Sequence, residues 1–526
     1  MTNPMSRRRF LNLVGAAGGS GAVYQLALGL GIMPRVARAD RPDIAPLDSA
    51  RRRSVVILGA GISGLTCAYE LRRKGYQVSV LEASHRAGGR NLTVRHGDLI
   101  DELGAPRICE FDQDPDLFFN AGPARIPGDH TALLGYCREL GVALAPFVND
   151  NRNAWVQDDA VYGGRRLRAR EYLNDTRGFL AELAAKSIKA EALDAPVTRG
   201  DFQNVLAYLR EFGDLDEQLE YEGTARAGLR VHDYCAPSVL KEPLDFQELL
   251  RSGFLMRNMS FGENADQAAM MMEPVGGMDR VVAGFLRQIG SLVQTRAEVQ
   301  SVHLKDRGVS VGYVVGGHRR SLDADYCLNC IPSHILVKLE HNFPADYAAG
   351  LAAIQRGKLF KIGFQAKERF WERENIYGGI SWTAQDIQQI WYPAHGLLGD
   401  KGIILGAYTF TAAMGDKFSA MTHTERLEAA IAQGEKLHPG YGGWVEHGVS
   451  IPWQQMNHMR GCAAAWDDAT RAQYFQRLQA PEGNHYMIGD QISYESGWQE
   501  GAMHSAFHAL ADIDQRERAS RTASAA

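Results

Sequence analysis

A run of β-forming residues, Val55-Val56-Ile57-Leu58, enters Gly59-Ala60-Gly61-Ile62-Ser63-Gly64 and continues into helix-forming sequence. Strand, G-x-G-x-x-G and helix in that order leave few folds open. Gly59 makes the tight turn, Gly61 lets the backbone approach a pyrophosphate, and Gly64 lets helix and strand pack closely. The phosphates then lie at the helix N-terminus, by Ile62 and Ser63, where free N–H groups and the helix dipole favour an anion. Ser63 to Lys74 reads as the helix, ended by Gly75, and Gln77 to Leu81 reads as a second strand in which Val78 and Val80 alternate. Glu82, followed by Ala83, closes that strand where an acid takes ribose hydroxyls. A glycine-rich turn alone can be plain architecture. Strand, glycines, helix and acid together predict a bound dinucleotide on a Rossmann-like α/β fold.

The N-terminus differs in character from the rest of the chain. Ser6-Arg7-Arg8-Arg9-Phe10-Leu11-Asn12 has the form of a twin-arginine export signal, followed by a Gly/Ala-rich apolar run from Leu13 to Met33 and by Ala37-Arg38-Ala39. That is the order of n-region, h-region and A-x-A cleavage site, so residues 1–39 read as a cleaved signal and the mature protein as periplasmic or secreted, without stable membrane insertion. A single membrane anchor is the alternative, weakened by the six glycines of the run. The formal net charge is −5, and the first 39 residues hold five arginines and no acids, so cleavage makes the chain more acidic. Nothing resembles a nucleic-acid footprint. Seven scattered cysteines form no disulfide framework; Cys327-Leu328-Asn329-Cys330 imitates a redox motif but reads as buried core cysteines in a strand.

Just past Glu82 comes Arg86-Ala87-Gly88-Gly89-Arg90. Placed after a dinucleotide fold, it resembles the second glycine motif of the flavin amine oxidase superfamily, in which backbone and arginine touch the FAD pyrophosphate and flavin surroundings. The resemblance implies FAD rather than NAD, with Gly88, Gly89 and Arg90 among its contacts. Further motifs follow in the family's order. Glu273-Pro274-Val275-Gly276-Gly277-Met278 marks a return to the FAD domain, the strand containing Val299 is placed by the adenine, and Met487-Ile488-Gly489-Asp490 resembles the strand whose Gly489 and Asp490 reach the ribityl chain. The resemblance implies a discontinuous FAD-binding domain from 53–100, 270–335 and 453–515. A mixed-sheet substrate domain is expected from 101–164 and 336–452, a helical domain over 165–265 and a disordered Arg/Ser/Ala-rich tail over 516–526.

Asn120-Ala121-Gly122-Pro123-Ala124-Arg125-Ile126-Pro127 is similar to a segment of the L-amino-acid oxidases, most like bacterial ones with a twin-arginine signal. In that family its arginine contacts the substrate carboxylate through two prongs, so the resemblance assigns Arg125 that role. Tyr392, in Ile390-Trp391-Tyr392-Pro393, is expected to add a hydroxyl to the same carboxylate, and Lys361, in Phe360-Lys361-Ile362-Gly363-Phe364, to face flavin N5 through a water. Ser496-Gly497-Trp498-Gln499-Glu500-Gly501-Ala502 resembles the opening of the helix that points at the flavin. There the Gly497 carbonyl is expected to accept the substrate amine, Trp498 to wall the pocket, and the helix start near Ala502 to steady the reduced ring.

Arg460-Gly461-Cys462-Ala463 can be laid on the segment where monoamine oxidases carry a flavin-linked cysteine, but one of their two cage aromatics becomes Ala463. That loss argues for a carboxylated substrate, and because buried cysteines are usually inert the FAD is expected to be non-covalent. The resemblance implies oxidation of an L-amino acid by hydride transfer from Cα to flavin N5, giving a 2-oxo acid, ammonia and, with oxygen, hydrogen peroxide. No metal enters, and a homo-oligomer such as a dimer is expected. A monoamine oxidase, a quinone-linked amino-acid dehydrogenase and a non-catalytic flavin-binding protein are the alternatives.

Overall fold

The computed structural model describes residues 41–47, 52–188, 199–252, 261–268 and 270–525; the signal expected at 1–39 lies outside them. Strand β1 (Ser54–Leu58) is buried along almost its whole length. Its side chains divide by the two-residue strand period: Val55 and Ile57 enter one core, Val56 and Leu58 another on the opposite face. Helix α1 (Ile62–Arg73) begins at Gly61 with no side-chain cap and no acid in its first turn, which leaves its opening N–H groups to another partner. It ends at Lys74, and Gly75 at φ +90° turns the chain into β2 (Gln77–Leu81), which pairs in parallel with β1.

The chain returns to this sheet as β3 (Val293–Gln294), β4 (Tyr326–Asn329) and β10 (His485–Met487). The order is β3-β2-β1-β4-β10, every pairing parallel. The two strands after β3, Ala297–Leu304 and Val309–Val315, do not extend it; they pair antiparallel in a separate four-stranded sheet, and Gly308, at φ +85°, lies in the turn that folds one back on the other. Between β2 and β3, helices Ala169–Ser187 and Arg199–Gly213 form a satellite with its own small core around Ala181, Leu215 and Tyr221.

A second, mixed sheet contains β5 (Phe360–Ala366), β6 (Gly379–Thr383), β7 (Gln389–Tyr392), β8 (Gly402–Thr409) and β9 (Val445–Pro452). Trp155–Gln157 joins its edge parallel to β6, while the pairings among β5 to β9 are antiparallel. Alternation again decides what faces where. Phe360, Ile362 and Phe364 enter the core that also holds Ile390, Tyr392 and Ile404, whereas Lys361 takes the opposite face, in register with Tyr408.

The long closing helix α2 (Gln499–Ala525) lays Met503, Ala506, Leu510 and Ile513 on the first core. It also corrects the expectation of a disordered tail from Arg516. Glu517 is buried, accepting from Tyr326 Oη at 2.7 Å and pairing with Arg53 at 2.9 Å, while Arg518 pairs with Asp514 one turn back and Arg521 donates to the Pro46 carbonyl. A polar, alanine-rich sequence folds here because its few specific contacts reach the domain. The architecture is thus α/β with α+β additions: a parallel sheet assembled from separate stretches, a mixed sheet between them and a helical satellite.

Candidate active site

A cleft of about 490 Å³ runs from the β1–α1 turn to β7 and β8. It gathers the sequence's candidate residues except Gly64 and Tyr392. Gly64 lies behind the turn, where a Cβ would come within 2.2 Å of the Gly59 carbonyl oxygen; its service is to the packing of strand and helix.

At the β1 end, Gly59 takes φ +97°, a conformation that favours glycine, and at Gly61 a Cβ would meet nothing within 4 Å, since the backbone there borders open cleft. Ile62 and Ser63 continue that wall, and Gly88 and Gly89, both at positive φ, line the cleft with them. Glu82 accepts from the N–H of Ala60 at 2.7 Å and of Ser84 at 2.8 Å, one bond to each oxygen, and both oxygens keep capacity for a further donor. Burial raises its carboxyl pKa, and these two backbone bonds oppose the rise. Ala83 and Val299 complete this end.

Deeper in the cleft, Arg90 grips Asp490 with both prongs, Nη1 lying 2.9 Å from Oδ2, and also donates to the Cys462 carbonyl at 3.0 Å. Burial alone would raise the Asp490 carboxyl pKa; the Arg90 charge and hydrogen bonds overcome it and hold the group below the usual carboxylate range. Gly489 donates its N–H to Ser505 Oγ at 2.7 Å, and the N–H of Gly497 reaches Asp490 at 3.1 Å. Two polar groups remain short of partners. The buried Asn91 Oδ1, beside this end of the cleft, has no hydrogen bond. Arg356 is held by neutral groups, His334 Nδ1 at 3.2 Å and Gln491 Oε1, and makes no ion pair among the described residues; burial, then repulsion from Arg90, lowers its pKa to about 10. An open glycine cradle, an uncapped helix start, a ribose-ready carboxylate and an arginine without a direct ion pair among the described residues fit the diphosphate and sugars of FAD.

The other end is built by the mixed sheet. Lys361 is 5% exposed, and its Nζ donates to the carbonyls of Gly122 at 2.6 Å and Asn120 at 3.3 Å, 4.7 Å from the Tyr408 ring centroid. Burial, then repulsion from Arg125, brings its pKa down to about 7. Arg125 lies 4.5 Å from the Trp391 ring centroid and 6.0 Å from that of Trp498, and its only hydrogen-bond acceptor among the described residues is Gln267 Oε1. Desolvation lowers its pKa to about 10. Gly497, at φ +88°, and Ala502 flank Trp498 along this wall.

Tyr392 must be corrected. It points into the core behind the sheet, where its hydroxyl meets His438 Nε2 at 2.6 Å and Ser381 Oγ at 2.7 Å. Its neighbour Trp391 occupies the Arg125 side instead, because successive strand residues face opposite ways. Cys330 is a smaller correction: Cys327 lies in the core, but Cys330 stands past the end of β4 and lines the cleft, its Sγ 3.0 Å from the Leu58 carbonyl oxygen. Arg356, Gln267, Trp391 and Tyr408 also line the cleft, although no motif singles them out. For Trp391 the signal was present, since it lies one residue from the motif's tyrosine; the other three reach the cleft only through strand register and loop path.

A parallel sheet with an open glycine cradle, meeting at one cleft a mixed sheet that presents a buried lysine and a loop whose Arg125 has no ion pair among the described residues, fits a dinucleotide-dependent enzyme. The family model of flavin containing amine oxidoreductases matches residues 62–513, and the chain belongs to that family. It is therefore a flavin-dependent oxidoreductase. It is 27% identical to the flavin-dependent L-tryptophan oxidase RebO of Lentzea aerocolonigenes, over 89% of this chain and 99% of that one. It is 25% identical to an L-amino-acid oxidase of Siganus canaliculatus, over 88% and 85%. Among solved structures, cyclohexylamine oxidase from Brevibacterium oxydans IH-35A superposes with a TM-score of 0.59 at 18% identity, over 89% of this chain and 99% of that one, a likeness of fold.

Proposed function

We propose that the protein oxidises L-amino acids to 2-oxo acids and ammonia, with oxygen reduced to hydrogen peroxide. The observation that carries this reading is Arg125: a desolvated guanidinium on the cleft wall, hydrogen-bonded to a neutral amide and without an ion pair among the described residues. A buried cation of this kind calls for an anionic ligand, and a substrate α-carboxylate matches its planar fork. The L-amino-acid oxidases among the relatives support the same substrate class.

Gly59 to Ser63, Glu82, Arg90 and Arg356 would hold FAD without a covalent bond, and the bound flavin would supply the hydride acceptor and the route of the electrons to oxygen. The chain's residues do the rest. Arg125 binds the carboxylate, and Trp391, Tyr408 and Trp498 wall the bound substrate from water, which fixes Cα in one orientation. The Gly497 carbonyl takes a hydrogen bond from the substrate amine, which reacts in its neutral form because only an unprotonated nitrogen can push electrons into the forming imine. Lys361, titrating near 7, holds or releases a proton at Nζ between Gly122 and the cleft. Water then hydrolyses the imino acid to the 2-oxo acid and ammonia.

Arg125→Ala tests the assignment. Loss of a bidentate, charge-assisted contact is expected to lower kcat/KM for the best L-amino acid by about 10²–10³-fold while sparing its decarboxylated amine. An unchanged kcat/KM on amino acids would refute it. One peroxide per turnover is expected; a low yield would favour a quinone acceptor. Export by the twin-arginine route belongs to the same proposal, and N-terminal sequencing of the exported protein is expected to begin near Asp40.

A further inference from the structure

Arg125 has five N–H donors, and the groups in hydrogen-bond or ring contact with it are all neutral, the Asp266 carboxylate acting on it only through space. Gln267 Oε1 accepts from Nε at 3.1 Å and from Nη2 at 2.5 Å. Arginine has no acceptor, so the atom facing it must be the amide oxygen. Around the guanidinium stand the rings of Trp391 at 4.5 Å, Phe261 at 5.9 Å and Trp498 at 6.0 Å. Asp266, next to Gln267, also lines the cleft but makes no ion pair with Arg125. Gln267 is itself fixed: its N–H donates to the Asn264 carbonyl at 2.8 Å, and its carbonyl accepts from the buried Asn149 Nδ2 at 3.0 Å.

We infer that Gln267 is a specificity-determining positioning residue, which holds the Arg125 fork by one edge with a neutral acceptor and so keeps its charge for a ligand carboxylate. The inference rests on the proposed reading of Arg125. A glutamate at this place would hold the same edge with the same geometry but would supply the counter-ion internally. A free carboxylate would then meet a neutralised pair and a second negative charge. The neutrality of one side chain thus separates a site that selects amino acids from one that accepts amines.

The test uses the flavin-loaded enzyme, at matched flavin content, with Gln267→Glu, Gln267→Leu and Arg125→Ala. Benzoate serves as a non-reacting carboxylate, its Kd read from the perturbation of flavin absorbance. The best L-amino acid of a substrate panel and its decarboxylation product serve as the reacting pair. Gln267→Glu is expected to raise the benzoate Kd and the amino-acid KM by about 10- to 100-fold, to change kcat far less, and to leave kcat/KM for the amine equal or higher. Gln267→Leu frees the guanidinium edge without adding charge, and about a tenfold rise in benzoate Kd is expected from loss of positioning alone. Either variant binding benzoate as the wild type does overturns the inference. So does an equal loss on amine and amino acid, which marks Gln267 as a support of the fold. If Arg125→Ala leaves benzoate binding unchanged, the carboxylate clamp itself fails; if only the Gln267 variants are silent, the clamp stands and this inference falls.

Discussion

The Tyr392 hydroxyl lies 2.6 Å from His438 Nε2, in the core behind the mixed sheet, while His438 Nδ1 lies 3.0 Å from Glu374 on its other side. Tyrosine and histidine are therefore links in a buried polar chain that fastens β7, and what faces the cleft from that strand is Trp391. Tyr392→Phe is expected to cost about 1–3 kcal/mol of stability, because it leaves the buried His438 and Ser381 a partner short. Its kcat/KM should match the wild type. Trp391→Ala should do the reverse, weakening substrate binding by about 0.5–2 kcal/mol through loss of the cation–π contact to Arg125. Chemical denaturation and steady-state kinetics on both variants separate the two roles.

The glycines of the first turn are expected to fail in different ways. Gly61→Val places its branches in open cleft, so the variant should fold and melt cooperatively but carry little flavin. Gly64→Val forces a Cβ to within 2.2 Å of the Gly59 carbonyl and should lower the yield of folded protein itself. Flavin absorbance per mole of protein, beside a thermal melt, reads both outcomes.

Asp490 is the counter-ion that Arg90 grips directly and that Arg356 feels through space. Asp490→Asn leaves neighbouring buried cations uncompensated, and a loss of about 3–5 kcal/mol is expected. The native carboxyl titrates below its unfolded value of about 3.9. Its contribution is therefore complete above that pH and fades as the pH falls towards the folded pKa. Urea unfolding followed from pH 6 down to pH 3 should show a steeper loss in the wild type than in Asp490→Asn.

Lys361 gives the opposite dependence. Its pKa falls from 10.5 to about 7 in the fold, so between those values the unfolded chain binds a proton that the folded chain does not. Stability should rise with pH across that window, and Lys361→Met should flatten the slope. The same variant should erase an inflection near pH 7 in kcat. Denaturation midpoints and kcat measured between pH 6 and pH 10 test both; an inflection that survives in Lys361→Met assigns it to another group.

Much of the cofactor end was legible from contiguous residues. Gly59, Gly61, Glu82, Gly88 and Arg90 fall within one strand–helix–strand unit and the turn after it, where short-range chemistry of turns and helix ends sets the geometry. Arg125 and Lys361 could be singled out by motif and both border the cleft. The tail misled because composition argued for disorder, whereas Glu517 and Arg521 anchor it through contacts with Tyr326, Arg53 and Pro46.

The sequence by itself determined the phosphate-binding turn and its glycines, because a tight turn, a close approach and an uncapped helix start follow from neighbouring residues. Only the tertiary structure decided the end of the cleft around Arg125. Whether Trp391 or Tyr392 faces Arg125 depends on which face of the strand is turned to the cleft, and a shift of one residue exchanges them. Gln267 and Arg356 meet the site from segments far along the chain, held by contacts with Arg125, His334 and Gln491. Such meetings are set by how whole sheets pack, which local chemistry leaves open.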